Sequence, residues 1–212
     1  MDSIHNELYY NIFYNSTIFN VQNTKIQNGN DENIKKNEIN GIEKNFMKII
    51  NDVLSTFKSN NVKSISIMSF YENKYYNRFK NFNIKKLPFI EITEYLKIKV
   101  YKSNRHRDLG TYYHNSNSIM IGTDYLPVFI HELAHAVDYN LKKYEYKSID
   151  YSEWIAELSQ IVLCEIYNIQ YYKSNSLNSL DMHFNNFIND NLNNIIKRVY
   201  IIYEYFRKFI KK

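Results

Sequence analysis

The sequence predicts an α+β fold that is mostly helical, with a small sheet. Three observations lead there. The 212 residues include only 4 Gly and 2 Pro, whereas a many-stranded sandwich or barrel needs a turn-forming residue every few positions. Long stretches repeat apolar residues at helical spacing. Short β-branched or alternating runs lie between them. Apolar residues at 44% suffice for a core without disulfides, and a single Cys excludes an intrachain disulfide or a multi-cysteine metal site.

In chain order, residues 1–40 read as an N-terminal arm and polar linker, with NVQNTKIQNGNDENIKKN at 20–37 low in complexity. Residues 41–212 read as one domain. From Ile39, the positions Ile42, Phe46, Ile49, Ile50, Val53, Leu54 and Phe57 have helical spacing. VKSISIMSF at 62–70 reads as a strand and 72–82 as a short helix. Leu96, Ile98 and Val100 alternate with polar neighbours, a half-buried strand. RHRDLG at 105–110 reads as a loop, and Ser118 to Gly122 as a strand at the sheet edge. Gly122-Thr123-Asp124 turns the chain into a helix from near Leu126 to about Asn140, with Pro127 in its first turn. After a loop at 144–151, Asp150 or Ser152 caps a helix from about Glu153 to Tyr167. Leu192, Ile195, Ile196, Val199, Ile202, Tyr203, Phe206, Phe209 and Ile210 form one stripe of a core-facing C-terminal helix.

The net charge of +5 is dispersed: Lys35-Lys36, Lys85-Lys86 and Lys211-Lys212 are only pairs. That reads as a solvated surface, so no nucleic-acid partner is expected. No apolar run approaches ~18 residues, so no membrane span is expected. The start, MDSIHNELYY, places Asp2 and Glu7 where a secretory signal carries basic residues. The expectation is a monomer that is cytoplasmic, exported by a non-classical route, or numbered after processing.

The chemistry lies in His131-Glu132-Leu133-Ala134-His135. Residues four apart on a helix share a face one turn apart, so His131 and His135 can offer ring nitrogens to one metal ion. Glu132 points aside, where it serves as general base toward the attacking water. Zinc needs a third protein ligand and keeps a fourth position open. Glu153 and Glu157, one turn apart in EWIAE, supply it: one carboxylate binds metal and the other orients a ligating His. His183, in DMHFNN, has no pattern linking it to the site. His106 and His114 read as surface histidines. Cys164, in IVLCEI, reads as a buried small hydrophobe, and Trp154 as core packing.

The run HELAHAVDY, a loop, then a Tyr seven residues before the first Glu of EWIAE resembles the catalytic domain of anthrax toxin lethal factor and the related secreted Pro-Pro endopeptidases. The resemblance covers roughly residues 96–170, most firmly 128–158. It implies a zincin-like fold of the gluzincin type: a small mixed sheet, the HExxH helix and a following glutamate helix. It further implies one Zn2+ per chain held by His131, His135 and Glu153. Tyr146 would stabilise the tetrahedral intermediate, with Tyr144 and Tyr151 as rivals. Glu157 and Asp138 would take supporting positions behind the ligands.

The function expected is a zinc-dependent endopeptidase acting on a peptide or protein substrate, with Glu132 moving the proton and Tyr146 donating to the oxyanion. Ser118, Ile119, Met120, Ile121 and Gly122 would pair with the substrate as an added strand. Lys97, Lys99, Lys102, Arg105 and Arg107 either line the approach or form a solvated face. The alternative is a catalytically idle relative that binds a protein partner, although the joint presence of His131, Glu132, His135 and a downstream Glu speaks against it.

Overall fold

A computed structural model describes residues 31–58, 83–102, 109–142, 148–183 and 186–210. The chain divides into two compact units, Met1–Asn45 and Phe46–Lys212. The described part of the first is the beginning of helix α1 (Asp31–Lys58). That helix starts earlier than the periodicity suggests, so residues 31–37 of the expected linker are helical. The strand expected at 62–70 and the helix at 72–82 lie outside the described residues.

In the second unit, the rest of α1 buries Phe46, Met47, Ile50 and Val53. A short helix α2 (Ile90–Tyr95) leads into strand β1 (Lys99–Lys102). The strand starts later than the alternation from Leu96 implies. Leu96 still donates to the carbonyl of Ile92, and Lys97 takes a left-handed conformation with φ 54°, which breaks an extended run.

Strands β2 (Gly110–Tyr113) and β3 (Ser118–Ile121) complete a sheet of order β1-β3-β2. β1 runs parallel to β3, with Val100 opposite Ile119, and β2 runs antiparallel to β3, with Tyr112 opposite Ile119. The sheet is therefore mixed, and the domain is α+β and mostly helical. One expectation is corrected: Ser118–Ile121 is the central strand, not an edge. Ile119 and Ile121 are fully buried, and an apolar strand of this kind takes neighbours on both sides. Among the described residues, the outer strands of the sheet are β1 and β2. Asn117 makes the turn before β3 at φ 46°, and its Nδ2 donates to the carbonyl of Leu96.

Helix α3 (Leu126–Lys142) packs on β2 and β3, with Pro127 in its first turn as expected. Helix α4 (Ile149–Ile166) begins one turn before the predicted start, because Ser148 is its cap: the Ser148 Oγ accepts from the Tyr151 N–H at 3.1 Å. Asp150 sits in the first turn and pairs with His183 at 2.9 Å. α4 packs against α3, α5 (Lys173–Met182) and α6 (Asn186–Ile210), and every residue from Trp154 to Cys164 is buried. Trp154 is core, and its Nε1 donates to the Leu180 carbonyl at 2.9 Å. On α6, Ile195, Ile196, Val199, Ile202, Tyr203 and Phe206 are buried, so the stripe faces the core. Among the described residues, no helix is long and apolar enough to cross a membrane.

Candidate metal centre

His131 and His135 project from one face of α3. Their Nε2 atoms lie 3.1 Å apart. Glu153, early in α4, closes a triangle: its Oε2 is 3.2 Å from His131 Nε2 and its Oε1 is 3.3 Å from His135 Nε2. These three side chains are positioned to hold a metal ion. The spacing fits one. Ligand atoms about 2.0–2.1 Å from a tetrahedral ion stand about 3.3 Å from each other, and two facing imidazole nitrogens have little other reason to converge.

The outer ring nitrogens are also held. Glu157 Oε2 lies 3.2 Å from His131 Nδ1, and Ser152 Oγ lies 3.0 Å from His135 Nδ1. Behind them, Gln160 Nε2 donates to Glu157 Oε1 at 3.2 Å and to Ser176 Oγ at 2.9 Å. Such outer partners set ring orientation and tautomer. Helical spacing explains the set on α4: positions 153, 157 and 160 share a face. Sequence reasoning named Ser152 only as a candidate helix cap and did not single out Gln160. The only signal was adjacency, a Ser beside a candidate ligand and a polar residue three after a candidate second carboxylate.

Glu132 is 8% exposed and faces β2. Gly110 is the close approach that lets it in: a Cβ there would come within 2.6 Å of Val128 Cγ1 and 2.8 Å of Glu132 Cγ. The backbone N–H of Tyr112 donates to the Glu132 carboxylate.

Electrostatics follow from burial and pairing. Burial opposes a charged His131, but its hydrogen bonds to Glu153 and Glu157 and the charge of Glu132 outweigh that and hold it well above the ordinary histidine value in the metal-free chain. Burial likewise opposes a charged Glu153, yet hydrogen bonds from His131 and His135 hold it well below the usual carboxylate range. Glu132 is pushed up by burial, only partly offset by the two histidines.

Two recesses meet at the triad and share Gly110, His131, Glu132 and Glu153. The wider, about 690 Å³, runs past Thr111, Tyr112, His114 and the start of α4 at Ser148 and Ile149. The smaller, about 250 Å³, lies on the Glu157 side against α5.

Other expected residues fall elsewhere. Tyr146 and Tyr144, with Arg105, His106 and Arg107, lie outside the described residues. Tyr151 is 2% exposed with its ring 5.6 Å from the Arg198 guanidinium, and it lines neither recess. Asp138 makes a buried ion pair with Arg198 on α6, at 2.9 and 2.5 Å, which gives it a structural partner away from the triad. Ser118, Ile119, Met120, Ile121 and Gly122 line neither recess; Gly110, Thr111 and Tyr112 of β2 border the recesses instead. Lys97, Lys99 and Lys102 belong to the opposite, β1 side of the sheet and line neither recess. Cys164 is buried, and burial with the nearby charges of Glu157 and Glu165 pushes its thiol up to about 12, unsuited to a nucleophile.

No protein-family model, no curated protein and no solved structure matches the chain.

Proposed function

We propose that the chain is a zinc-dependent endopeptidase that cleaves an extended peptide or protein segment, with one zinc ion per chain. The observation that carries the reading is the convergence of His131, His135 and Glu153 with the buried carboxylate of Glu132 beside them. Two imidazoles and one carboxylate, with an open position, form the donor set of hydrolytic zinc sites. When bound, zinc supplies the Lewis acidity that polarises the scissile carbonyl and makes water a nucleophile at neutral pH.

The chain's own residues do the rest. Glu132 takes the proton from the attacking water and returns it to the leaving amine. A carboxyl pushed up by burial suits that two-way transfer. Gly110 and the Tyr112 N–H fix where that carboxylate stands. Glu157 and Ser152 hold the two imidazole rings. β2, an edge strand whose residues line both recesses, receives the substrate as a further strand. Tyr146 is the proposed oxyanion donor, on the resemblance to lethal factor and the Pro-Pro endopeptidases. The mixed sheet, the HExxH helix α3 and the glutamate helix α4 support a zincin-like fold of the gluzincin type.

The test is a peptide-library cleavage profile with metal analysis. Cleavage that a chelator abolishes and zinc restores supports the reading. One bound zinc per chain with no cleavage of any peptide would favour the idle protein-binding module instead.

A further inference from the structure

Ile149 is the first residue of α4, directly after the Ser148 cap, and it is 78% exposed. The packed part of the helix begins further along, where every residue from Trp154 to Cys164 is buried, so Ile149 adds little to the core. A lone exposed apolar side chain is ordinary on a protein surface. This one, however, lines the wider recess together with His131, Glu132, His135 and Glu153.

Positions 149 and 153 are four apart on one helix and share a face. Ile149 therefore projects on the side of α4 that carries the Glu153 carboxylate to the two histidines, about 6 Å away along the axis. Two residues of an extended chain span about 6.6 Å, and side chains two apart point to the same side. An extended segment with one side chain beside Glu153 thus brings the side chain two residues further along to the level of Ile149.

Charge and volume narrow what that side chain is. Among the described residues, the lining of the wider recess has two carboxylates, Glu132 and Glu153, and no Lys or Arg; Glu157 belongs to the smaller recess. The two positive charges of a bound zinc ion offset both carboxylates, which leaves no excess of negative charge to favour a cation. Covering Ile149 takes apolar surface out of water, and that gain is full only when the partner is apolar too. A volume of about 690 Å³ has room for peptide backbone and a large side chain.

We propose that Ile149 is a specificity-determining residue, which receives a large apolar side chain (leucine, methionine or phenylalanine) carried by the substrate two residues from the one beside Glu153. The inference rests on the endopeptidase reading of the triad.

The experiment is a cleavage profile of the zinc-loaded chain at about pH 8, where exposed histidines are uncharged. The peptides are randomised at the two positions on each side of the scissile bond, and the profile is repeated with Ile149→Ala and Ile149→Leu. Both changes are at an exposed position, and zinc content checks that the site is intact. The wild-type chain should prefer Leu, Met or Phe at one of the four positions by about tenfold over Ala, Asp and Lys. Ile149→Ala should lose most of that preference through KM rather than kcat, the mark of a contact away from the reacting atoms, and Ile149→Leu should keep it. A second readout needs no turnover. The zinc-loaded Glu132→Gln chain should bind a Leu-bearing peptide about tenfold more tightly than its Ala counterpart, and adding Ile149→Ala should remove the difference. No apolar preference at any of the four positions, or one that Ile149→Ala leaves intact, overturns this proposal alone. Failure of the fully zinc-loaded chain to cleave any peptide overturns the endopeptidase reading itself, and the proposal with it.

Discussion

The carboxylate of Glu157 lies 3.2 Å from Nδ1 of His131, on the opposite side of the ring from the nitrogen that faces Glu153. Two glutamates one turn apart on α4 thus grip the same imidazole from its two ends, and their roles divide by which nitrogen each meets. Glu153→Ala should abolish stoichiometric zinc binding. Glu157→Ala should keep the ion but weaken it by about 10–100-fold, the usual effect of removing such an outer partner. Zinc titration against a competing chelator measures both. Full occupancy in Glu153→Ala with loss in Glu157→Ala would reverse the assignment.

Glu132→Gln should leave zinc content at the wild-type level and remove peptide hydrolysis. The amide keeps the size of the carboxylate and can still accept from the Tyr112 N–H, but it cannot take and return a proton. Substantial turnover by a fully metallated Glu132→Gln chain would show that another group is the base.

Gly110→Ala tests how Glu132 is positioned. The new methyl would lie 2.6 Å from Val128 Cγ1 and 3.0 Å from Glu132 Oε1, so the strand, the valine or the carboxylate must move. A displacement of this order can cost about a hundredfold in turnover, and overpacking costs about 1–3 kcal/mol in stability. Zinc affinity should change far less, since the three atoms nearest the added methyl belong to Val128 and Glu132 rather than to a metal ligand. Steady-state kinetics beside zinc titration separates the two; unchanged turnover would mean that Gly110 is there for packing alone.

In the metal-free chain, stability should fall as pH rises above the ordinary histidine range. His131 is held above its usual value of 6.5 by Glu153 and Glu157 despite burial. A group whose folded value is raised contributes stability that is fully present below 6.5 and is lost as pH climbs through the folded value. Zinc reverses the trend, because it takes the unprotonated ring. Urea midpoints at about pH 6 and about pH 9, with chelator and with zinc, should slope in opposite directions. A chelated chain that gains stability over that interval would contradict the pairing.

Asp138 should matter for folding rather than for turnover. Its ion pair with Arg198 joins α3 to α6 in a buried place. Removing one partner strands the other charge, which costs about 3–5 kcal/mol, whereas replacing both with apolar groups of similar volume is often nearly neutral. Arg198→Met alone should therefore destabilise strongly, and Asp138→Leu with Arg198→Met should recover most of the loss. Denaturant unfolding of the single and double variants checks this. A double variant as unstable as the single would argue for a role of Asp138 beyond the pair.

The sequence by itself determined what depends on spacing along one helix. His131 and His135 share a face of α3, with Glu132 turned aside from it, because the helical repeat is local, and the same repeat set Glu153 and Glu157 together on α4 and the apolar stripe on α6. It did not determine which strand is central or which glutamate meets which nitrogen. The four-residue strand β2 carries little periodic signal: Gly110 falls in the expected loop at 105–110, residues 111–113 receive no element, and the edge is assigned to Ser118–Gly122 instead. Ser152 behind His135, the Gly110 contact with Glu132 and the Asp138–Arg198 pair join residues 17 to 60 positions apart. Such contacts follow from how strands pair and helices pack, and those choices are made between segments, where no local repeat records them.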